Sequence, residues 1–283
     1  PTGPPAGRPP GAASFAADAE DGVAGAGRRA CADDSVAAPG DGVAGHATGR
    51  PPGGEDGPGG DFGADQWTHL VSPGPWWTPW LRRTSGFAGE VLETGLPGDD
   101  LLAGPGARER AAEVRCRLGL REGITAVLYV PGEHVALDPG RLAAALPDDC
   151  VLLVRGPSPA AARPFARGSW GGAGGVVDVT GHPDPQELFL AADVLVTGDV
   201  AAMVEFAVTG RPMLLHPGAP HDLCLHPEAP GPTLRGADEV AEALTRLDEI
   251  ADKYRDALGA FLRRYRPAID GHAAARLVDL VFR

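Results

Sequence analysis

The sequence predicts an α/β protein: a Rossmann-like parallel sheet that ends in a helical wrap and follows a disordered N-terminal arm. Three observations carry that prediction. Short, continuously apolar runs alternate with helical stretches from about residue 121 onward, the pattern of parallel strands covered on both faces. The C-terminal stretch has helical spacing, with Val240, Ala243, Leu244 and Leu247 at i, i+3, i+4 and i+7. Glycine and proline, 41 and 29 of 283 residues, crowd the first 64 positions and set that segment apart.

Within residues 1–64, runs such as Pro4-Pro5-Ala6-Gly7, Pro51-Pro52-Gly53-Gly54 and Gly57-Pro58-Gly59-Gly60 break any helix or ladder. The large apolar residues there are Phe15, Val23, Val36, Val43 and Phe62, too few to offset the entropy of ordering the chain, so disorder is expected. Residues 65–120 open with a short strand over 66–71, followed by an aromatic cluster at Trp76, Trp77 and Trp80. That cluster reads as a partner surface, a membrane surface, or a linker packed against a neighbouring domain. A second strand over 90–94 is closed by Gly95-Leu96-Pro97-Gly98. A helix over 108–118 carries Ala111, Val114 and Leu118 on one face, with Gly119 as its C-cap. Residues 121–283 then give strands over 126–130, 151–155, 175–179, 194–197 and 213–216. Helices are expected over 139–146, 185–192 and 200–209, and three more over 237–250, 254–265 and 271–282.

Composition excludes several classes. A net charge of −13 argues against nucleic acid as a partner, because phosphate contacts need clustered Lys and Arg. Lys253 is the only lysine, a bias expected of a GC-rich genome. No apolar run reaches the roughly 18 residues of a membrane-spanning helix, and the start lacks the basic and apolar regions of a secretory leader. Cys31, Cys116, Cys150 and Cys224 are scattered without a CxxC pair; a chain this large needs no staples, so a reducing cytosol is expected. His216, His221, Cys224 and His226 lie close together, but their spacing fits no closed zinc pattern and no metal site is assigned. No cofactor is implied.

In open parallel sheets ligands bind outside the carboxyl ends of the strands. The informative junction reads AADVLVTGDVAAMVEFAVTGRPM over residues 191–213. The chain leaves a strand at Thr197, turns through Gly198 and enters a helix, with Asp199 as the expected N-cap. This stretch resembles the CDP-glycerol:poly(glycerophosphate) glycerophosphotransferase family, GT-B transferases that build teichoic-acid chains, whose pattern is roughly AADVLITDYSSVMFDFALLGRPM. Val71-Ser72-Pro73 through Leu81-Arg82-Arg83, Glu93-Thr94-Gly95-Leu96-Pro97, Val127-Leu128-Tyr129-Val130-Pro131 and Asp270-Gly271-His272-Ala273-Ala274 to Asp279-Leu280 resemble further family segments. The resemblance covers residues 66–283. It implies the C-terminal half of a GT-B fold, with residues 65–120 as a remnant of the acceptor-side domain plus linker and residues 121–283 as the donor-nucleotide domain.

The same resemblance implies a substrate site at Arg155, Thr197, Gly198, Val200, Ala201, Glu205 and Arg211. It implies CDP-glycerol or a related cytidine nucleotide as ligand, a lipid-linked polymer as acceptor, and a partner that supplies the acceptor domain. The implied location is the cytoplasm, peripheral to the inner face of the cell membrane. Departures bear on activity. The family's Asp-Tyr-Ser-Ser becomes Gly198-Asp199-Val200-Ala201, so two hydroxyl donors at a helix N-terminus give way to methyl groups. The family's RLHP, whose histidine acts on the donor, becomes Arg155-Gly156-Pro157-Ser158-Pro159, and its PTWR loop becomes Pro131-Gly132-Glu133-His134. Losing a proton-transfer group costs about 10²–10⁴-fold in rate and losing an electrostatic stabiliser about 3 kcal/mol of barrier. No catalytic residue is therefore assigned. The chain reads either as a glycerophosphotransferase of low or no activity, or as a non-catalytic nucleotide-binding or interaction module, or a decayed fragment. Glu205 reads equally as a ribose partner and as a solvated helix carboxylate. Arg211 reads also as part of the turn Gly210-Arg211-Pro212.

Overall fold

The computed structural model describes residues 64–132, 136–156, 175–216 and 228–282. Apart from Ala64, the arm expected over residues 1–64 lies outside them. Five parallel strands form the main sheet: β3 (Thr125–Val130), β4 (Cys150–Val154), β5 (Gly175–Asp178), β6 (Val194–Thr197) and β7 (Met213–Leu215). Before them, β1 (His69–Val71) and β2 (Glu90–Leu92) form a separate parallel pair. The main sheet runs β5-β4-β3-β6-β7, so the strand order reverses between β3 and β6. The α/β class expected from the sequence, with its Rossmann-like parallel sheet, is the observed one.

The apolar strands bury both faces, as a parallel sheet requires. Ala126, Leu128, Val151, Leu153, Leu195, Met213 and Leu215 pack on one side with α3 (Ala107–Arg117), α5 (Pro185–Ala191) and α6 (Val200–Phe206). Val127, Tyr129, Leu152, Val154, Val194, Val196 and Leu214 face the other side, against α4 (Pro139–Ala145) and α7 (Ala237–Leu244). The period of two in a strand assigns these faces. Three of the crossover helices start alike. Asp138, Asp184 and Asp199 each accept a backbone N–H of the first turn, from Arg141, Gln186 and Ala202, and proline follows two of them at the start of α4 and α5. This is the capping chemistry that ends a strand and begins a helix.

Where structure and expectation differ, local hydrogen bonding explains the difference. The helix expected over 200–209 stays α-helical only to Phe206 and tightens into a 3-10 turn over Ala207–Thr209, ended by Gly210 at φ 71°. The helices expected over 237–250 and 254–265 are instead α7 and the longer α8 (Leu247–Tyr265). The break falls at Thr245-Arg246, where the Thr245 hydroxyl donates to the Glu242 carbonyl at 2.7 Å, and neither glycine nor proline marks it. Two helices, α1 (Thr78–Ser85) and α2 (Asp99–Ala103), were not expected from the sequence.

The tryptophan cluster proves to be internal packing. Trp77 is buried, stacks edge-on with Trp76, Trp80 and Tyr265, and its Nε1 donates to the Tyr265 carbonyl at 2.8 Å. It ties the end of α8 to α1. Further ties join the segment before α3 to the C-terminal helix α9 (Ala273–Val281). Asp100 accepts the backbone N–H groups of Ala273 and Ala274, both at 2.9 Å, and so caps α9 from a distant part of the chain. The Arg276 guanidinium donates to the Thr94 and Ala268 carbonyls and to both Asp270 oxygens. Arg266 pairs with Asp99 at 3.4 Å with both side chains sealed. Burial pushes the Asp99 carboxyl up, and the Arg266 charge only partly offsets it.

Cys150 is free and buried, and burial, followed by the neighbouring Asp149 charge, pushes its thiol up to about 12.

Trp77→Ala should lower the unfolding free energy by about 3–5 kcal/mol, the usual cost of emptying a buried aromatic site. Trp77→Phe, which forfeits mainly the Nε1 bond, should cost about 1 kcal/mol; urea denaturation followed by circular dichroism distinguishes the two. Equal losses would show that the hydrogen bond, and not ring packing, holds α8 in place. A second expectation concerns acid. Hydrogen bonds from Arg276 hold the Asp270 carboxyl below its ordinary value of 3.8, so its stabilising contribution is present above that value and lost as pH falls below it. Asp99, shifted upward, works in the opposite sense, its contribution fading as pH rises. Asp270→Asn should therefore flatten the acid side of a melting-temperature profile below about pH 4. An acid limb identical to that of the unaltered chain would overturn this assignment.

Candidate functional site

The site is built at the reversal of strand order, where ligands of open parallel sheets bind. Here β3 ends in Val130-Pro131-Gly132 and β6 in Thr197-Gly198-Asp199. Thr197 is fully buried. Its hydroxyl donates to the Val130 carbonyl at 2.9 Å and accepts the Asp199 N–H at 2.9 Å. That hydroxyl therefore joins two strand ends and is not turned toward a ligand. Beside it the backbones crowd together. A Cβ on Gly198 would stand 2.3 Å from the His216 carbonyl oxygen, and one on Gly132 would stand 2.8 Å from the Gly198 carbonyl oxygen. Both positions require glycine because main chain approaches main chain. The His216 N–H donates to the Thr197 carbonyl at 2.7 Å and extends the β6–β7 ladder by one bond.

Beyond Gly198, Asp199 caps α6 as expected, its Oδ1 accepting the Ala202 N–H at 2.7 Å. Val200 and Ala201, half-buried, form the first turn and bring only backbone donors. Across the strand ends, Arg155 follows β4 and is half-buried, its Nη1 donating to the His182 carbonyl at 3.3 Å. Burial lowers its pKa, while the charges of Glu205 on α6 and Asp184 at the start of α5 raise it. The two carboxylates thus lie within electrostatic reach of the guanidinium, and Glu205, like Arg155, is half-buried.

Arg211 lies elsewhere. It precedes β7, at the opposite end of the sheet, and its Nη1 donates to the carbonyls of Phe189, Leu190 and Ala192. It closes the C-terminus of α5, whose last carbonyls lack helical partners. Six of the seven expected residues gather at the carboxyl edge, and Arg211 is the exception.

Sequence reasoning passed over three residues at this edge. Thr180 accepts the Gly156 N–H at 2.8 Å, and Asp184 caps α5. His182 is fixed by the Asp184 carbonyl at 2.9 Å from Nδ1 and by Glu187 at 3.5 Å from Nε2. The Asp184-Pro185 pair was the available signal for the cap. The stretch after the His/Cys-rich loop was also missed: the Leu215 N–H donates to the Pro232 carbonyl and the Leu215 carbonyl accepts the Leu234 N–H, a bridge centred on Thr233 that covers the β7 edge. Of that loop, His221, Cys224 and His226 lie outside the described residues. Among the described residues no three His, Cys, Asp or Glu side chains are grouped to hold a metal. A cavity of about 380 Å³ lies between α7 and α8, lined by Leu234, Glu239, Glu242, Arg246, Glu249 and Lys253 among others; it shares no residue with the carboxyl edge.

A family model, CDP-glycerol:poly(glycerophosphate) glycerophosphotransferase, matches residues 50–283. The chain belongs to this family. It is 26% identical over 247 residues to a teichoic acid glycerol-phosphate transferase of Staphylococcus aureus, covering 78% of this chain and 61% of that protein. It is 24% identical over 244 residues to a teichoic acid poly(glycerol phosphate) polymerase of Bacillus subtilis, covering 78% of this chain and 32% of that one. The chain therefore spans less than two thirds of either relative. Its fold is similar to that of the wall teichoic acid polymerase TagF in a crystal soaked with CDPG, with a TM-score of 0.66 at 24% identity over 77% of this chain and 57% of that one. A further TagF structure gives a TM-score of 0.65. The glycerophosphotransferase family thus accounts for the sheet, for the C-terminal wrap and for the fold at the carboxyl edge.

Because Arg211 closes α5 and stands apart from the site, Arg211→Ala should cost about 2–3 kcal/mol of stability through lost charge-assisted bonds to carbonyls. Urea denaturation reads the loss, and an unchanged unfolding free energy would show that these bonds do not hold the end of α5.

Proposed function

We propose that this chain carries the donor-nucleotide half of a CDP-glycerol glycerophosphotransferase, with residues 121–283 binding the donor and residues 65–120 as the remainder of the acceptor side. The reading is supported above all by Arg155, Glu205 and Asp184 lying together at the strand ends, beside a crossing of bare backbone, in a member of this family. Glu205 would take the ribose hydroxyls and Arg155 the charge of the diphosphate. Gly198 lets the β6 end pass close to the His216 main chain, and the N–H groups of Val200 and Ala201 would face the phosphates. Thr197 holds the two strand ends that frame the site. In the reaction an acceptor glycerol hydroxyl bonds to the β-phosphorus of CDP-glycerol, the bond from that phosphorus to the CMP oxygen breaks, and CMP leaves. The hydroxyl proton passes to a base on the acceptor side, which a partner or a further part of the protein would supply. A lipid-linked polymer is the acceptor this reading favours, with the chain at the inner face of the cell membrane.

A second reading, a nucleotide-binding module without turnover, is favoured by one observation. The Asp199 carboxylate occupies the first turn of α6, where it repels phosphate, and no side-chain hydroxyl at Val200 or Ala201 offsets it.

Titration of the full chain with CMP and CDP-glycerol, alongside an assay for CMP release, separates the readings. Binding with release supports the transferase, binding without release supports the module, and no binding at millimolar ligand sinks both. Val200→Ser with Ala201→Ser should tighten binding about 5- to 10-fold, as expected of one or two added hydrogen bonds to charged oxygen. An unchanged dissociation constant would show that the diphosphate does not sit at this turn.

A further inference from the structure

A guanidinium carries five N–H donors, and among the described residues one hydrogen bond engages that of Arg155: Nη1 donates to the His182 carbonyl at 3.3 Å. The direction of Arg155 therefore depends on where that carbonyl stands. Leu153 faces the layer of α3, α5 and α6, and Arg155, two residues on, follows the same side by alternation. The loop from β5 leads into α5 in that layer and grips the end of β4 a second time. Thr180 accepts the Gly156 N–H at 2.8 Å, and Asp178 Oδ1 accepts the Thr180 N–H at 2.9 Å. The His182 N–H closes a turn onto the Val179 carbonyl at 3.0 Å. Gly181 and Pro183, on either side of His182, are exposed, so the imidazole is the inward anchor of the loop. Its Nδ1 meets the Asp184 main chain, the carbonyl at 2.9 Å and the N–H at 3.3 Å. Its Nε2 stands 3.5 Å from the Glu187 carboxylate, which Arg117 of α3 holds at 2.6 Å. Both the imidazole and the Glu187 side chain are largely enclosed, where such contacts are stronger than in water. Holding the ring at both nitrogens pins the Cα from which the carbonyl projects.

We propose that His182 is a positioning residue of the donor site: by anchoring its own loop it aims Arg155 at the diphosphate of the bound cytidine nucleotide. The inference rests on the nucleotide reading given above and deepens it, because it names what gives Arg155 its direction. A guanidinium aimed before the ligand arrives loses less freedom on binding, so an anchored Arg155 holds phosphate more tightly than a loose one. His182 acts through Arg155; neither contact with the ligand nor proton transfer is assigned to the imidazole.

The test is a double-mutant cycle on the full chain, read by calorimetric titration with CDP and with cytidine, which lacks phosphate. Arg155→Ala should weaken CDP binding about 10-fold or more, the usual effect of losing a hydrogen bond to a charged group. His182→Ala should weaken it about 5-fold and leave cytidine binding unchanged. In the Arg155→Ala background the same change should have no further effect, because residues that act as a unit do not add. His182→Asn, whose amide still reaches toward the Asp184 main chain, should recover part of the loss. Because a change in this loop can disturb folding, Glu187→Ala supplies a second reading by removing the other anchor of the ring. It should weaken CDP binding about 3-fold, again only where Arg155 is present. Failure of the unaltered chain to bind CDP overturns the nucleotide reading and this inference with it. CDP binding that Arg155→Ala leaves untouched overturns the role of Arg155 and hence its aiming by His182. Losses that persist without Arg155, that extend equally to cytidine, or that fail to appear in His182→Ala overturn the His182 assignment alone.

Discussion

The approach of main chain to main chain at Gly132, Gly198 and His216 is the constraint on which the carboxyl edge depends. Three strand ends, those of β3, β6 and β7, meet there with no room for a Cβ at either glycine. The Thr197 hydroxyl locks two of them, and the His216 N–H locks the third. These contacts hold the strand ends together, and the Asp199 carboxylate caps the first turn of α6 directly beyond them. A surface built this way keeps its shape whether or not side-chain hydroxyls stand at positions such as Val200 and Ala201. That separates the integrity of the scaffold from the strength of its chemistry.

A second set of contacts joins the segment before α3 to the end of the chain. Trp77 and Tyr265, Asp99 and Arg266, Asp100 and the start of α9, and Thr94 and Arg276 are four ties between the same two regions. Their energies differ in kind. The tryptophan tie is apolar area with one hydrogen bond. The Asp99–Arg266 pair sets attraction against the cost of taking two charges out of water, and the upward shift of Asp99 says that burial wins. The Arg276 tie is open to solvent on one side and owes its strength to geometry, with both oxygens of Asp270 engaged.

Much of the sheet was legible because its strands carry an unbroken apolar signal. Residues 194–197 are both the expected and the observed strand β6, and the other four main strands agree to within one residue at either end. The cap at Asp199 was legible in the turn after Gly198, whereas Asp138 and Asp184, each followed by proline, went unread. What escaped was whatever depends on contacts across the chain. Helix α2 spans five residues and exists because Asp99 and Asp100 are engaged by residues about 170 positions away. The break between α7 and α8 rests on one threonine hydroxyl. At the site, the family resemblance brought Arg155 and Glu205 to one edge but could not separate Arg211, since a guanidinium that closes a helix and one that binds phosphate look alike in sequence. His182 was invisible for a related reason: its partners lie in its own loop and the following helix, and no spacing announces them.

The cap on α9 has a consequence for how this molecule assembles. Asp100 receives the N–H groups of Ala273 and Ala274 across 173 and 174 residues of chain, so two of the first N–H groups of the last helix find their acceptor far away in sequence, while Asp270 meets the His272 N–H locally. Closing a loop of that length carries an entropic cost that local helix formation cannot offset early on. The C-terminal helix is therefore a late recruit, completed only after the sheet and the residues around α2 are already in register.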